Sequence, residues 1–235
     1  MKTISSIALA VFAGAATAGS VDVTVNANAN GSAEIRPAGV REFSGAVSTA
    51  FWNVEPGSEG QFATIAVMQF NAAAVANAAA MNGLNAVENV TFSLFQDPAG
   101  FTSPTAQIDF YYGANDLPMT LGGLTGVNFS NALTQFGAQQ IVSDYQFVQG
   151  GAGTNDIIDL FGQGLAGQAA FEADLLAGGT ITILAVSDFG NASWGGAENI
   201  RGFADPSLTV SLVPAPAGAA VLGLGGLVAT RRRRA

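Results

Sequence analysis

Short runs in which apolar and polar residues alternate, separated by turn residues, recur along the chain and predict half-buried β-strands. Val21, Val23 and Val25 alternate with Asp22, Thr24 and Asn26. Runs rich in β-branched and apolar residues follow at 47–54 and 61–70, on either side of Glu55-Pro56-Gly57-Ser58-Glu59-Gly60, which predicts a hairpin or a longer loop. Two more lie at 87–95 and 106–112 across Asp97-Pro98-Ala99-Gly100, the second with Ile108, Phe110 and Tyr112 on one face. Runs at 180–186 and 207–213 complete the set, and 140–148 is a further candidate strand. The rest of 113–153 shows no assignable period. Turn residues between so many runs favour a sandwich over a parallel α/β sheet.

Two segments read as short helices. Residues 72–81 are Ala-rich, with Asn71 placed to cap the start and Asn82-Gly83 to end it. Residues 168–177 carry Phe171, Leu175 and Leu176 on one side and stop at Gly178-Gly179. No period of roughly 20 to 50 residues repeats, so a solenoid or blade array is not expected. The fold class is therefore all-β, an antiparallel β-sandwich with one or two short helices.

The two ends depart from this pattern. Lys2, the nearly unbroken apolar stretch 4–15 and the small residues Ala16 and Ala18 before Gly19 have the layout of a cleavable secretory signal helix. Its apolar part is shorter than the roughly 20 residues a membrane span needs. At the other end stand Val213, Pro214, Ala215, Pro216 and Ala217, then an apolar helix over 218–230, then Arg231, Arg232, Arg233 and Arg234. Two prolines deny the backbone two donors and predict an extended, accessible segment. The arginines hold the end on the cytoplasmic side of a membrane. The 14 residues 217–230 span only about 21 Å as a helix against about 30 Å of hydrocarbon, which suits a temporary anchor. The chain thus divides into a signal peptide at 1–18, a β-sandwich domain at 19–212 and a C-terminal signal at 213–235.

Charge changes the picture once these ends are set aside. The whole chain carries −9, but Lys2 and the four terminal arginines lie in the targeting segments. Arg36, Arg41 and Arg201 are then left against 17 acids, a balance of −14. Such a body repels phosphate backbones, and no nucleic-acid partner is expected. The chain has no His and no Cys, and no Lys beyond Lys2. That removes Ser-His-Asp and Cys-His sites, Schiff-base lysines, P-loop lysines and imidazole or thiolate zinc sites. Of the common enzyme classes only a carboxylate-pair glycosidase stays open. The expectation is no catalytic residues and no enzyme.

Three features invite a ligand. Gly162-Gln163-Gly164-Leu165-Ala166-Gly167 matches a dinucleotide-binding fingerprint, but Asp156 and Asp159 in the strand before it and the few residues after it argue against a cofactor. Trp194 is the candidate glycan contact, whereas Trp52 reads as core. Asp156, Asp159 and Asp188 could share a calcium ion, although solvated loop acids explain them more simply. The cofactor expectation is none, with Ca²⁺ as the only candidate and the metal ligands unassigned.

The C-terminal order of Val213-Pro214-Ala215-Pro216-Ala217, apolar stretch and arginine cluster resembles the PEP-CTERM sorting domain, in its Val-Pro-x-Pro-Ala variant, of exported Gram-negative proteins. The resemblance implies recognition and cleavage of the tail by an exosortase-like membrane enzyme, after export by the general secretion machinery and signal peptidase. Localisation would be transient anchoring in the inner membrane, then the cell envelope or the extracellular space. Residues 193–198, Ser-Trp-Gly-Gly-Ala-Glu, and 206–210 are similar to the closing strands of DNRLRE-type jelly-roll modules, some of which bind carbohydrate. Together these imply an exported surface or extracellular-matrix protein with a jelly-roll body that is structural or adhesive. The alternative is a carbohydrate-binding module acting on exopolysaccharide.

Overall fold

A computed structural model describes residues 19–43, 46–47 and 50–215. Ala16 and Ala18, Pro216 and Ala217, the apolar stretch 218–230 and Arg231 to Arg234 lie outside the described residues. Among the described residues no helix is long and apolar enough to cross a membrane.

The chain forms β1 (Val21–Arg36), β2 (Gly39–Val40), β3 (Glu42–Phe43), β4 (Ala46–Val47), β5 (Phe51–Val54), β6 (Ile65–Asn71), α1 (Ala73–Asn82), β7 (Ala86–Phe95) and β8 (Thr105–Gly113). It continues through α2 (Ala132–Gln135), β9 (Ala138–Val148), β10 (Asn155–Asp159), α3 (Gly167–Ala177), β11 (Thr180–Phe189), β12 (Ala192–Gly195) and β13 (Ser207–Val213). Eight strands lie on one antiparallel path, β10-β7-β13-β1-β6-β11-β8-β9, with β2 beside β1. The path is nearly closed, and the protein is all-β and sandwich- or barrel-like, as the alternation predicts.

β1 joins the two halves of the path. Its first half pairs with β13 (Val21↔Leu212 to Asn26↔Ser207), and its second half pairs with β6 (Ser32↔Met68 to Ile35↔Ile65). The register shifts between Ala27 and Ser32, where Asn30 adopts φ 55°. Asn tolerates the left-handed region better than most residues, and such a bulge lets one strand bend from one leaf into the other. Only the first six residues of β1 show the alternation; the bulge erases it beyond Asn26.

The inner core lies between the leaves. Phe92 of β7 stands edge-on to Phe70 of β6 (5.7 Å, 89°) and to Phe110 of β8 (6.2 Å, 81°), and Trp52 packs edge-on against Phe92 at 5.6 Å. Each such pair adds about 0.5–1.5 kcal/mol beyond its buried area. A second core covers the outside of β1, β6 and β11. There Ile35, Ile65, Val67 and Leu184 meet Met119, Leu124, Val127, Ala132 and Phe136 from the segment around α2. β6 is therefore buried on both faces from Ile65 to Phe70, and its sequence shows no alternation, running apolar from Ile65 to Met68 before the buried Gln69.

The predicted pair at 47–54 and 61–70 differs in detail. Residues 57–62 form 3₁₀ turns with Gly60 at φ 61°, and one bridge, Glu55↔Thr64, joins the flanks. β5 instead pairs with β12, and β6 with β1 and β11. Both helices fall where expected. The Asn71 carboxamide oxygen accepts the Ala73 N–H at 2.9 Å, and Gly83 and Gly178 end α1 and α3 at φ 64° and 77°. A Cβ at Gly178 would stand 2.7 Å from Ala76, so glycine also lets the helices approach.

Candidate functional site

Where the strands end decides what can be reached. Gly19, the residue after the expected signal cut, is exposed two positions before β1. At the other end the tail motif begins inside the sheet: Val213 is the last residue of β13, opposite Ala86. Pro214 then stops the ladder because it has no N–H to donate. The Ala215 N–H donates to the Asn85 side-chain oxygen at 2.6 Å, and Asn85 N–H donates to the Val213 carbonyl at 3.3 Å. Because Val21 pairs with Leu212, the start of β1 and the end of β13 lie side by side.

The aromatic candidates are withdrawn from the surface. Trp194 has no exposed area and lies in β12, not in a loop. Its ring packs on Trp52 (5.8 Å) and Phe147 (5.3 Å, edge-on), and its Nε1–H donates to Asp156 Oδ2 at 2.6 Å. It cannot stack on a sugar in this fold, which corrects its reading as a glycan contact. The polar sequence around it misled, because the Asp156 carboxylate that lets an indole N–H be buried comes from β10, 38 residues away. Trp52 is core as expected, and Tyr112 is buried with its hydroxyl donating to Asp174. Tyr111 is partly buried, and burial followed by the Asp109 charge pushes its phenol up to about 12.

The acids regroup. Asp156 is committed to Trp194 and to Gln96, whose Nε2 lies 3.0 Å from each carboxylate oxygen. Burial raises Asp156 above the usual carboxylate range, against those two hydrogen bonds. Asp159 accepts the N–H groups of Phe161 and Gly162 at 2.8 and 3.1 Å. Neither joins Asp188. Asp188 instead converges with Asp109 and Asp144, one carboxylate oxygen of each lying within 4.8 Å of the others. Strand pairing hides this trio from the sequence, since β11, β8 and β9 bring it together from 79 residues of chain. Asp109 accepts the Asp144 N–H at 2.9 Å and Gln140 Nε2 at 2.7 Å, and Gln107 donates to Asp144. Burial first, then the Asp188 and Asp144 charges, raise Asp109, opposed by the bond from the Asp144 N–H. Three hard oxygen donors of this kind suit a divalent cation, although exposed acids also occur together without one.

The glycine fingerprint has a structural task. β10 runs antiparallel to β7, so no parallel βαβ unit exists here. The Gln163 side-chain oxygen accepts the Ser143 N–H at 2.8 Å and its Nε2 donates to the Ser143 carbonyl at 3.0 Å, as a neighbouring strand would. This amide caps the open edge of β9. A Cβ at Gly167 would stand 2.7 Å from the Gln140 carbonyl oxygen, so the glycine serves close packing on the same edge.

All three body arginines face buried acids. Arg41 Nη1 lies 2.6 Å and Arg36 Nη2 3.7 Å from Glu34, which is fully buried and also accepts the Asn53 N–H and Nδ2. Arg201 Nε lies 3.5 Å from the buried Asp97. The body's cations therefore neutralise interior acids, and its remaining 15 acids are left without a basic ion-pair partner among the described residues. The chain matches no protein-family model and no curated protein sequence.

Proposed function

We propose that this chain is an exported, non-enzymatic surface or extracellular-matrix protein, carried to the membrane by its signal peptide and released through cleavage of its C-terminal sorting tail. The observation that carries this reading is the coincidence of boundaries. The sheet starts at Val21, just after the expected signal cut at Ala18–Gly19, and its last strand stops at Val213, where the Val-Pro-Ala-Pro-Ala motif begins. Neighbouring ends also let one pole face the membrane while both are processed.

The strand order supports the finer jelly-roll reading. In chain order β1, β6, β7, β8, β9, β10, β11 and β13 alternate between the leaves β10-β7-β13-β1 and β6-β11-β8-β9, with only β8 and β9 consecutive in one leaf. Two interleaved Greek keys of eight strands have this order. A structural or adhesive role fits a body in which Trp52, Trp194 and Tyr112 stabilise the core; a carbohydrate-binding module would present such rings in a groove.

Intact-mass measurement of the protein recovered from its host tests the proposal. The expected species starts at Gly19, ends within or just after the 213–217 motif, lacks Arg231 to Arg234 and partitions to the envelope or medium. A full-length chain retained in the inner membrane with its arginines attached refutes it.

A further inference from the structure

The body holds the beginning of its own sorting motif. Val213 is laddered to Ala86, its carbonyl accepts the Asn85 N–H, and the Asn85 side-chain oxygen takes the Ala215 N–H at 2.6 Å. Asn85 is itself fixed: Gly83 turns the chain at φ 64°, and the buried Leu84 anchors the turn with its N–H on the Ala79 carbonyl at 2.9 Å. An endopeptidase binds its substrate as an extended strand with free backbone groups, so a bond can be cut only where the chain leaves the sheet. We infer that Asn85 is a specificity-determining residue for tail cleavage, pinning Ala215 so that the Pro214–Ala215 bond is shielded and cutting is directed to bonds beyond Ala215. This rests on the reading that the tail is processed.

The test uses the full-length chain, purified in mild detergent and treated with a proline-specific endopeptidase, with mass spectrometry following the bonds Pro214–Ala215 and Pro216–Ala217. The wild type is cut mainly after Pro216. Asn85→Ala raises the ratio of cutting after Pro214 to cutting after Pro216 about fivefold, the change in open population expected from losing one net hydrogen bond. Asn85→Asp keeps an oxygen acceptor and retains the wild-type ratio. Asn85 is exposed, so both variants keep the fold. An unchanged ratio in Asn85→Ala, or a ratio in Asn85→Asp as high as in Asn85→Ala, overturns the inference. The assay contains no sorting enzyme, so its failure leaves tail sorting standing, while an uncut chain in the host refutes sorting and leaves the clamp intact.

Discussion

Replacing Trp194 by Phe separates a core tryptophan from a ligand-binding one. The substitution removes the Nε1–H that lies 2.6 Å from Asp156 Oδ2 and part of the ring that packs between Trp52 and Phe147. A hydrogen bond to a charged group is worth about 1.5–3 kcal/mol. The smaller ring leaves a partial cavity worth about 1 kcal/mol more, well short of the full Trp→Ala cost. The expected loss is about 3 kcal/mol, which for a domain of this size lowers the unfolding midpoint by about 6–12 °C. Urea unfolding followed by far-UV circular dichroism measures it without relying on tryptophan emission. The pH dependence adds a second signature. Asp156 is already raised by burial and is lowered by its bonds to Trp194 and Gln96, so losing the indole raises it further. A protonated carboxyl has less need of that donor, so the deficit of Trp194→Phe shrinks as pH falls from 7 towards 4. A loss below about 0.5 kcal/mol, the range of ordinary surface substitutions, would refute the buried placement.

Three further outcomes follow from the same electrostatics. Glu55, Asp109, Asp116 and Asp156 are all raised, burial being the largest cause in each, so each binds its proton more tightly folded than unfolded. Their contribution is full below the unfolded values of 3.8 to 4.5 and is lost as pH rises through the folded ones, so thermal midpoints should climb on acidification from pH 7 towards 4.5. Tyr111, at about 12 against an ordinary 10.0, obeys the same sign, and stability should fall as pH rises through that interval. A midpoint that declines steadily from pH 7 to 4.5 contradicts the burial argument. Arg41→Gln strips Glu34 of its 2.6 Å partner inside the fold, while the more distant Arg36 and the Asn53 donors remain. The expected cost is about 2–3 kcal/mol by denaturant titration, below the roughly 3–5 kcal/mol for a buried charge left wholly unpaired.

Alternation reported the strands wherever one face is buried and the other wet, as in β7 and β13. It lost them where a second layer covers the sheet or a bulge shifts the period, as in the second half of β1. The segment around α2 carried no legible period because its apolar residues reach the outer face of the sheet from irregular turns. The site was less legible still. Asp188 was visible as a carboxylate, but its neighbours Asp109 and Asp144 come from other strands, and Asp156 and Asp159 proved committed to Trp194 and to a turn. Asn85 gave no sequence signal, being one polar residue after a helix until β13 returns beside it 128 residues later.

By itself the sequence determined the all-β class, the two short helices α1 and α3, and the chemistry that a chain without His or Cys cannot perform. These are local properties: side-chain period, capping residues, donor inventory and apolar length act within a few residues of each other. Only the tertiary structure decided which strands are neighbours, that Trp194 is buried, that the arginines serve interior acids, and that Asn85 holds Val213 and Ala215. Each depends on contacts between distant segments, and a strand's alternation fixes which face is buried without naming the strand that pairs with its edge.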